Sequence, residues 1–64
     1  PVAVILIELG LRGLAKEALA GNMQSARGFQ QAFQLAPLDM QIRITDYVES
    51  LQESLTDSLH PEGL

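Results

Sequence analysis

The stretch MQIRITDYVESLQESLTDSL, residues 40–59, decides the fold. Its large apolar side chains recur every three or four residues, which is the spacing of one face of an α-helix. These side chains are Met40, Ile44, Val48, Leu51, Leu55 and Leu59. Most of the remaining positions are polar or acidic, so we predict an amphipathic helix over residues 40–59 with one buried face. Asp39 stands directly before this stretch and is expected to cap the helix.

Two segments precede this helix, and turn residues separate them. Glycine favours the position just past a helix end and asparagine caps a following helix, so Gly21-Asn22 predicts one boundary. Pro37 predicts the other, because proline pushes the residue before it out of the helical region. We therefore predict helices over about residues 2–20 and 23–36. The predicted fold is all-α, with three short helices, antiparallel neighbours and a tail at 60–64 in one small domain over residues 1–64.

Composition limits the kinds of protein that this chain can be. It has 64 residues, no cysteine and one histidine, which excludes a disulfide framework and a typical zinc module. With 47% hydrophobic and 19% charged residues, the composition is that of a folded chain. The net charge of −4 disfavours partners that are rich in phosphate. We expect no nucleic-acid partner, and we regard a membrane partner as disfavoured.

The opening of the chain is its most informative feature for function. Residues 2–7 form an unbroken apolar run, and Leu9, Leu11 and Leu14 extend it. Propensity alone would allow a strand here, but nothing else in the chain offers a second strand to pair with. A helix that is apolar on all sides must be buried on all sides, and two short helices cover little more than one stripe. Either this is the central helix of a small bundle, or part of it is an association surface; we favour the second interpretation.

Residues 9–37 resemble one tetratricopeptide repeat, a helix–turn–helix unit of 34 residues. The matching residues, in one ungapped register, are Gly13, Phe29, Ala32 and Pro37. The resemblance implies protein or peptide binding in a concave groove, no catalysis, and a capping role for residues 40–59. Arg12 and Lys16 depart from the family pattern, and the segment after Pro37 does not repeat it. An unrelated helical hairpin with similar packing is the alternative.

The polar residues do not indicate a catalytic site. His60 has only neighbours such as Asp57 and Glu62 within reach, too few for a ligand set or a base. The carboxylates of residues 46, 49, 53 and 57 are expected to form a solvated helix face, with an acidic docking strip for a basic partner as the alternative. We expect no catalytic residue, no cofactor and no metal site.

The predicted function is a non-catalytic protein–protein interaction module that works through apolar helix packing. Its expected anchors are Val2, Ile5, Leu6, Leu9, Phe29 and Phe33. Self-association is the expected immediate form, because symmetric pairing readily covers a self-complementary apolar face. The alternatives are a small chaperone or adaptor that holds a partner helix or peptide, and a membrane-peripheral element with residues 2–14 in the interface.

One repeat is too few for a groove and the chain begins at Pro1, so we expect a fragment or an oligomer. The compartment is open, with the cytoplasm favoured.

Overall fold

A computed structural model describes residues 2–59, and their side chains through residue 57. They form three α-helices: α1 is Val2–Leu19, α2 is Met23–Leu35 and α3 is Leu38–Leu59. No strand occurs within this range, so the predicted all-α class with three helices is confirmed. The predicted tail at 60–64, with His60, lies outside the described residues.

The turn between α1 and α2 follows the predicted glycine and asparagine signals. Gly21 has a φ of 104°, a left-handed conformation that glycine adopts without steric cost. Its N–H donates to the carbonyl of Ala18 and the Asn22 N–H to that of Glu17, both at 3.0 Å, as in a Schellman motif. The Asn22 side chain then accepts from the Ser25 N–H at 3.1 Å. The predicted end of α1 at Gly21 and the predicted cap of α2 by Asn22 are therefore both confirmed.

The second turn differs from its prediction in one respect. Ala36 is extended, with φ −75° and ψ 151°, as expected for a residue before proline. However, α3 begins at Leu38, because the Pro37 carbonyl already accepts from the Gln41 N–H at 2.9 Å. The prediction that Asp39 caps this helix is thus wrong. Asp39 lies within the first turn, where its negative charge still favours the positive end of the helix dipole.

The core is small and lies where all three helices meet. Leu11 of α1 and two residues of α3, Met40 and Ile44, are at most 1% exposed. The partly buried side chains that pack around them are Phe29, Ala32, Phe33, Ala36 and Val48. The predicted stripe of α3 is therefore buried in its first half. Burial then declines along the helix, and Leu55 is 46% exposed.

The first helix α1 packs against both of the others. Contacts between α1 and α2 run in opposite directions along the two helices: Ser25 meets Glu17, and Gly28 meets Leu14. Contacts between α1 and α3 run in the same direction, because Glu8 meets Arg43 and Arg12 meets Tyr47. Hence α2 is antiparallel to α1, and α3 is parallel to it.

The three helices form an extended arrangement that leaves part of their surfaces uncovered. The radius of gyration is 13.2 Å, compared with about 11 Å for a compact domain of this length. The principal extents are 46 × 23 × 17 Å. The 13 residues of α2 span about 20 Å, whereas the 18 residues of α1 span about 27 Å. Much of α1 therefore has only one side covered.

Candidate functional site

The first half of α1 presents an aliphatic surface away from α2 and α3. Val2, Ile5, Leu6 and Leu9 are between 56% and 71% exposed. The same side of the helix continues into two exposed glycines. We name this surface the α1 outer face and define it as Val2, Ile5, Leu6, Leu9, Gly10 and Gly13.

Helix geometry explains why these residues share one side. Val2, Leu6, Leu9 and Gly13 step by 4, 3 and 4 residues, which keeps them on one face of a helix with 3.6 residues per turn. Leu11 occupies the opposite face and is buried. A side chain added at Gly10 or Gly13 would meet nothing within 4 Å, so open space surrounds these two positions.

The two charged side chains among residues 2–13 of α1 turn toward α3. The Glu8 carboxylate accepts from Arg43 through Nη2 at 2.8 Å and Nε at 3.0 Å, and Arg12 Nη2 lies 3.4 Å away. The Arg12 guanidinium also stands 5.1 Å from the centre of the Tyr47 ring, a cation–π distance. Glu8 and Arg12 are the only charged residues among residues 2–13. The α1 outer face is therefore uncharged.

The ion pair between Glu8 and Arg43 shifts the pKa values of both side chains. Hydrogen bonds from Arg43 are the main reason why the pKa of Glu8 lies below its usual value of 4.5, with the charges of Arg43 and Arg12 acting in the same direction. Reciprocally, the hydrogen bond to Glu8 raises the pKa of Arg43. Glu8 is thus held ionised and fastens α1 to α3.

A separate apolar groove lies on the other side of α1 from the α1 outer face, where α1 meets the end of α2 and the start of α3. It has a volume of about 290 Å³. Its lining consists of Val4, Ile7, Ala32, Leu35, Ala36, Pro37 and Met40. The groove adds exposed apolar surface at the same end of the molecule.

The structure divides the six predicted anchors into two groups. Val2, Ile5, Leu6 and Leu9 come together on the α1 outer face. Phe29 and Phe33 are half-buried in α2, where their rings stack at 5.5 Å between centroids and pack against the core. A role for these two rings in partner binding stays a prediction.

Sequence reasoning missed other exposed apolar residues at the same end of the molecule. Leu35, Leu38 and Ile42 are each more than half exposed. Leu38 and Ile42 do not belong to the buried stripe that contains Met40 and Ile44. Their position outside this stripe could have predicted their exposure from the sequence.

The carboxylates of α3 are exposed as predicted. Within the residues whose side chains are described, no group of three or more His, Asp or Glu side chains is arranged to hold a metal ion. None of the three helices, within the part of the chain that is described, has both the length and the hydropathy needed to cross a membrane.

Comparisons with protein-family models, with curated proteins and with solved structures found no match.

Proposed function

We propose that this chain is a non-catalytic protein–protein interaction module and that the α1 outer face is its binding surface. The observation that carries the proposal is the contiguity of four aliphatic side chains, each more than half exposed, with no charge among them. A helix of another molecule fits such a surface, because aliphatic ridges on one helix pack into the grooves of a second.

The amount of exposed surface supports the proposal. The chain exposes 4970 Å², whereas a compact monomer of this mass exposes roughly 4,000 Å². The α1 outer face contributes on the order of 400 Å² of apolar area, within the range of the largest apolar patch on a typical monomer, which is often a functional surface. At about 25 cal/mol per Å², covering this area is worth on the order of 10 kcal/mol before the costs of association.

A tetratricopeptide-like arrangement is the more specific form of this proposal. The contacts Glu8–Arg43 and Arg12–Tyr47 both join residues 35 apart, close to the 34-residue period of such repeats. In a stacked array each repeat contacts its neighbours, as α3 contacts α1 in this chain. Buried Ser25 at the α1–α2 contact also matches the small residue that the family places there. This form favours an adaptor that binds a partner helix or peptide as the second candidate function.

Light scattering on two variants tests the proposal. Leu6→Glu places a charge in the centre of the α1 outer face, whereas Met23→Glu places one on a side chain that is 70% exposed at the start of α2. We expect the wild type and Met23→Glu to exceed the 7.0 kDa of one chain, and Leu6→Glu to return to it. A wild type that stays at one chain mass up to near-millimolar concentration would contradict self-association. Equal masses for an oligomeric wild type and Leu6→Glu would show that another surface is responsible.

A further inference from the structure

We infer that the α1 outer face pairs with the same face of a second copy, with the two α1 helices antiparallel and Val2 of each opposite Gly13 of the other. This inference rests on the proposed function and specifies its partner, direction and register. The three arguments for it are the pattern of large and small residues, the position of Lys16, and the available area.

The pattern of large and small residues is self-complementary in only one direction. In an antiparallel pair whose two-fold axis passes between Leu6 and Leu9, Leu6 of each copy lies opposite Leu9 of the other. These four leucines form the central layers of the interface. The next layer outward on either side then places the branched Val2 over Gly13 of the other copy. Gly13 has open space around it, so the valine side chain fills a position that is otherwise empty. Such large-to-small layers give the dense packing that a stable helix interface needs.

Ala3 and Gly10 strengthen this argument on one flank of the seam. Both residues are exposed, and an added side chain at Gly10 would meet nothing within 4 Å. In the antiparallel register Ala3 of one copy lies beside Gly10 of the other. Small residues at such contacts let two helices approach closely along that flank.

A parallel pair in the same register is unfavourable for two reasons. It places Gly13 against Gly13 and leaves a gap in the seam, which loses packing contacts. It also brings Lys16, the next residue of the stripe, against its own copy, and like charges at that distance repel. In the antiparallel register the two Lys16 side chains lie at opposite ends of the seam and do not meet, and the two helix dipoles oppose each other.

The area suits a dimer of modest affinity. Two copies together cover on the order of 1,000 Å² when the α1 outer faces and their flanks meet, which is at the low end of specific interfaces. We therefore expect association in the micromolar range or weaker, and the experiment uses concentrated protein.

Disulfide cross-linking tests the direction and the register, because the chain contains no cysteine of its own. We propose Val2→Cys and Gly13→Cys, each alone and as an equal mixture, under mild oxidation with non-reducing mass spectrometry. In the inferred register, two copies of either variant place their cysteines about 16 Å apart along the helices, beyond the reach of a disulfide. The mixture brings the two cysteines into one layer. Val2→Cys mixed with Gln31→Cys, on an exposed part of α2, controls for random collision.

The expected result is efficient linking in the Val2→Cys and Gly13→Cys mixture, with at least tenfold less for either variant alone and for the Gln31→Cys control. Strong linking of Val2→Cys with itself would indicate a parallel pair and overturn the inference. Equal linking in all samples, or none in any, would overturn it as well. If the wild type still oligomerises and Leu6→Glu still prevents this, the interaction surface itself survives that outcome.

Discussion

Ile42 and Ile44 stand two residues apart in α3 and have opposite environments. Ile44 is 0% exposed in the core, whereas Ile42 is 55% exposed. We expect Ile44→Ala to lower the free energy of unfolding by about 2–5 kcal/mol, because it removes buried methyl groups and leaves a cavity. Ile42→Ala, the matched control, should change it by less than about 0.5 kcal/mol. Urea denaturation followed by circular dichroism measures both, and equal losses would contradict the described core.

Two glycines give a second pair of opposite effects. Gly21 has a positive φ, so Gly21→Ala is expected to destabilise the chain by about 1 kcal/mol. Gly28 is helical, and an added Cβ would lie 3.8 Å from the Leu14 side chain, an ordinary contact. Gly28→Ala should therefore stabilise the chain by up to about 1 kcal/mol, because alanine has the higher helix propensity. Thermal unfolding at one protein concentration compares them, and a Gly21→Ala variant as stable as the wild type would rule out the left-handed turn.

At the scale of the helices, the ion pair between Glu8 of α1 and Arg43 of α3 predicts a pH dependence. The folded-state pKa of Glu8 is lowered, so its contribution is present above the unfolded-state value near 4.5 and is lost as the pH falls through the folded-state pKa. At pH 7 we expect the wild type to be more stable than Glu8→Gln, and the difference to shrink in acid below pH 4.5. Melting temperatures of the two proteins from pH 7 to pH 2 measure this difference.

Arg43→Gln is the second variant of that experiment. It removes the main cause of the lowered pKa and leaves only the weaker contact with Arg12, so adding Glu8→Gln to it should have a smaller effect at pH 7 than Glu8→Gln has in the wild type. A difference between wild type and Glu8→Gln that is constant from pH 7 to pH 2 would contradict the ion pair.

Local signals in the sequence were sufficient to predict the three helices and the α1–α2 turn. Gly21, Asn22 and Pro37 act on their immediate neighbours, and the period of α3 repeats often enough to identify its buried face. The predicted start of α3 is wrong because the backbone carbonyl of Pro37 accepts the Gln41 N–H. The Asp39 side chain was expected to satisfy the first N–H groups of the helix instead.

The orientation of α1 could not be predicted from its own residues. Residues 2–7 are apolar on every side, so their pattern does not distinguish an inner from an outer face. The orientation depends on distant contacts, namely Glu8 with Arg43 and Arg12 with Tyr47, and on the shortness of α2. The half-buried positions of Phe29 and Phe33 depend on the same packing.

At the scale of the whole molecule, association should couple to stability. A partner that binds only the folded state raises the melting temperature by mass action, so we expect the wild-type melting temperature to rise with protein concentration. Leu6→Glu should melt at the same temperature at all concentrations while keeping its helical circular dichroism spectrum, because residue 6 lies outside the core. Melting curves of both proteins over a hundredfold concentration range measure this, and a wild type without concentration dependence would oppose the coupling.

The most direct test of the central claim is a dilution series followed by methyl NMR. The α1 outer face and the exposed part of α3 both carry large aliphatic side chains, so one spectrum reports on each. If another copy covers the α1 outer face, the methyl signals of Ile5, Leu6 and Leu9 will shift with concentration while those of Ile42 and Leu55 stay constant. Signals of Ile5, Leu6 and Leu9 that do not move from micromolar to near-millimolar protein would contradict the claim.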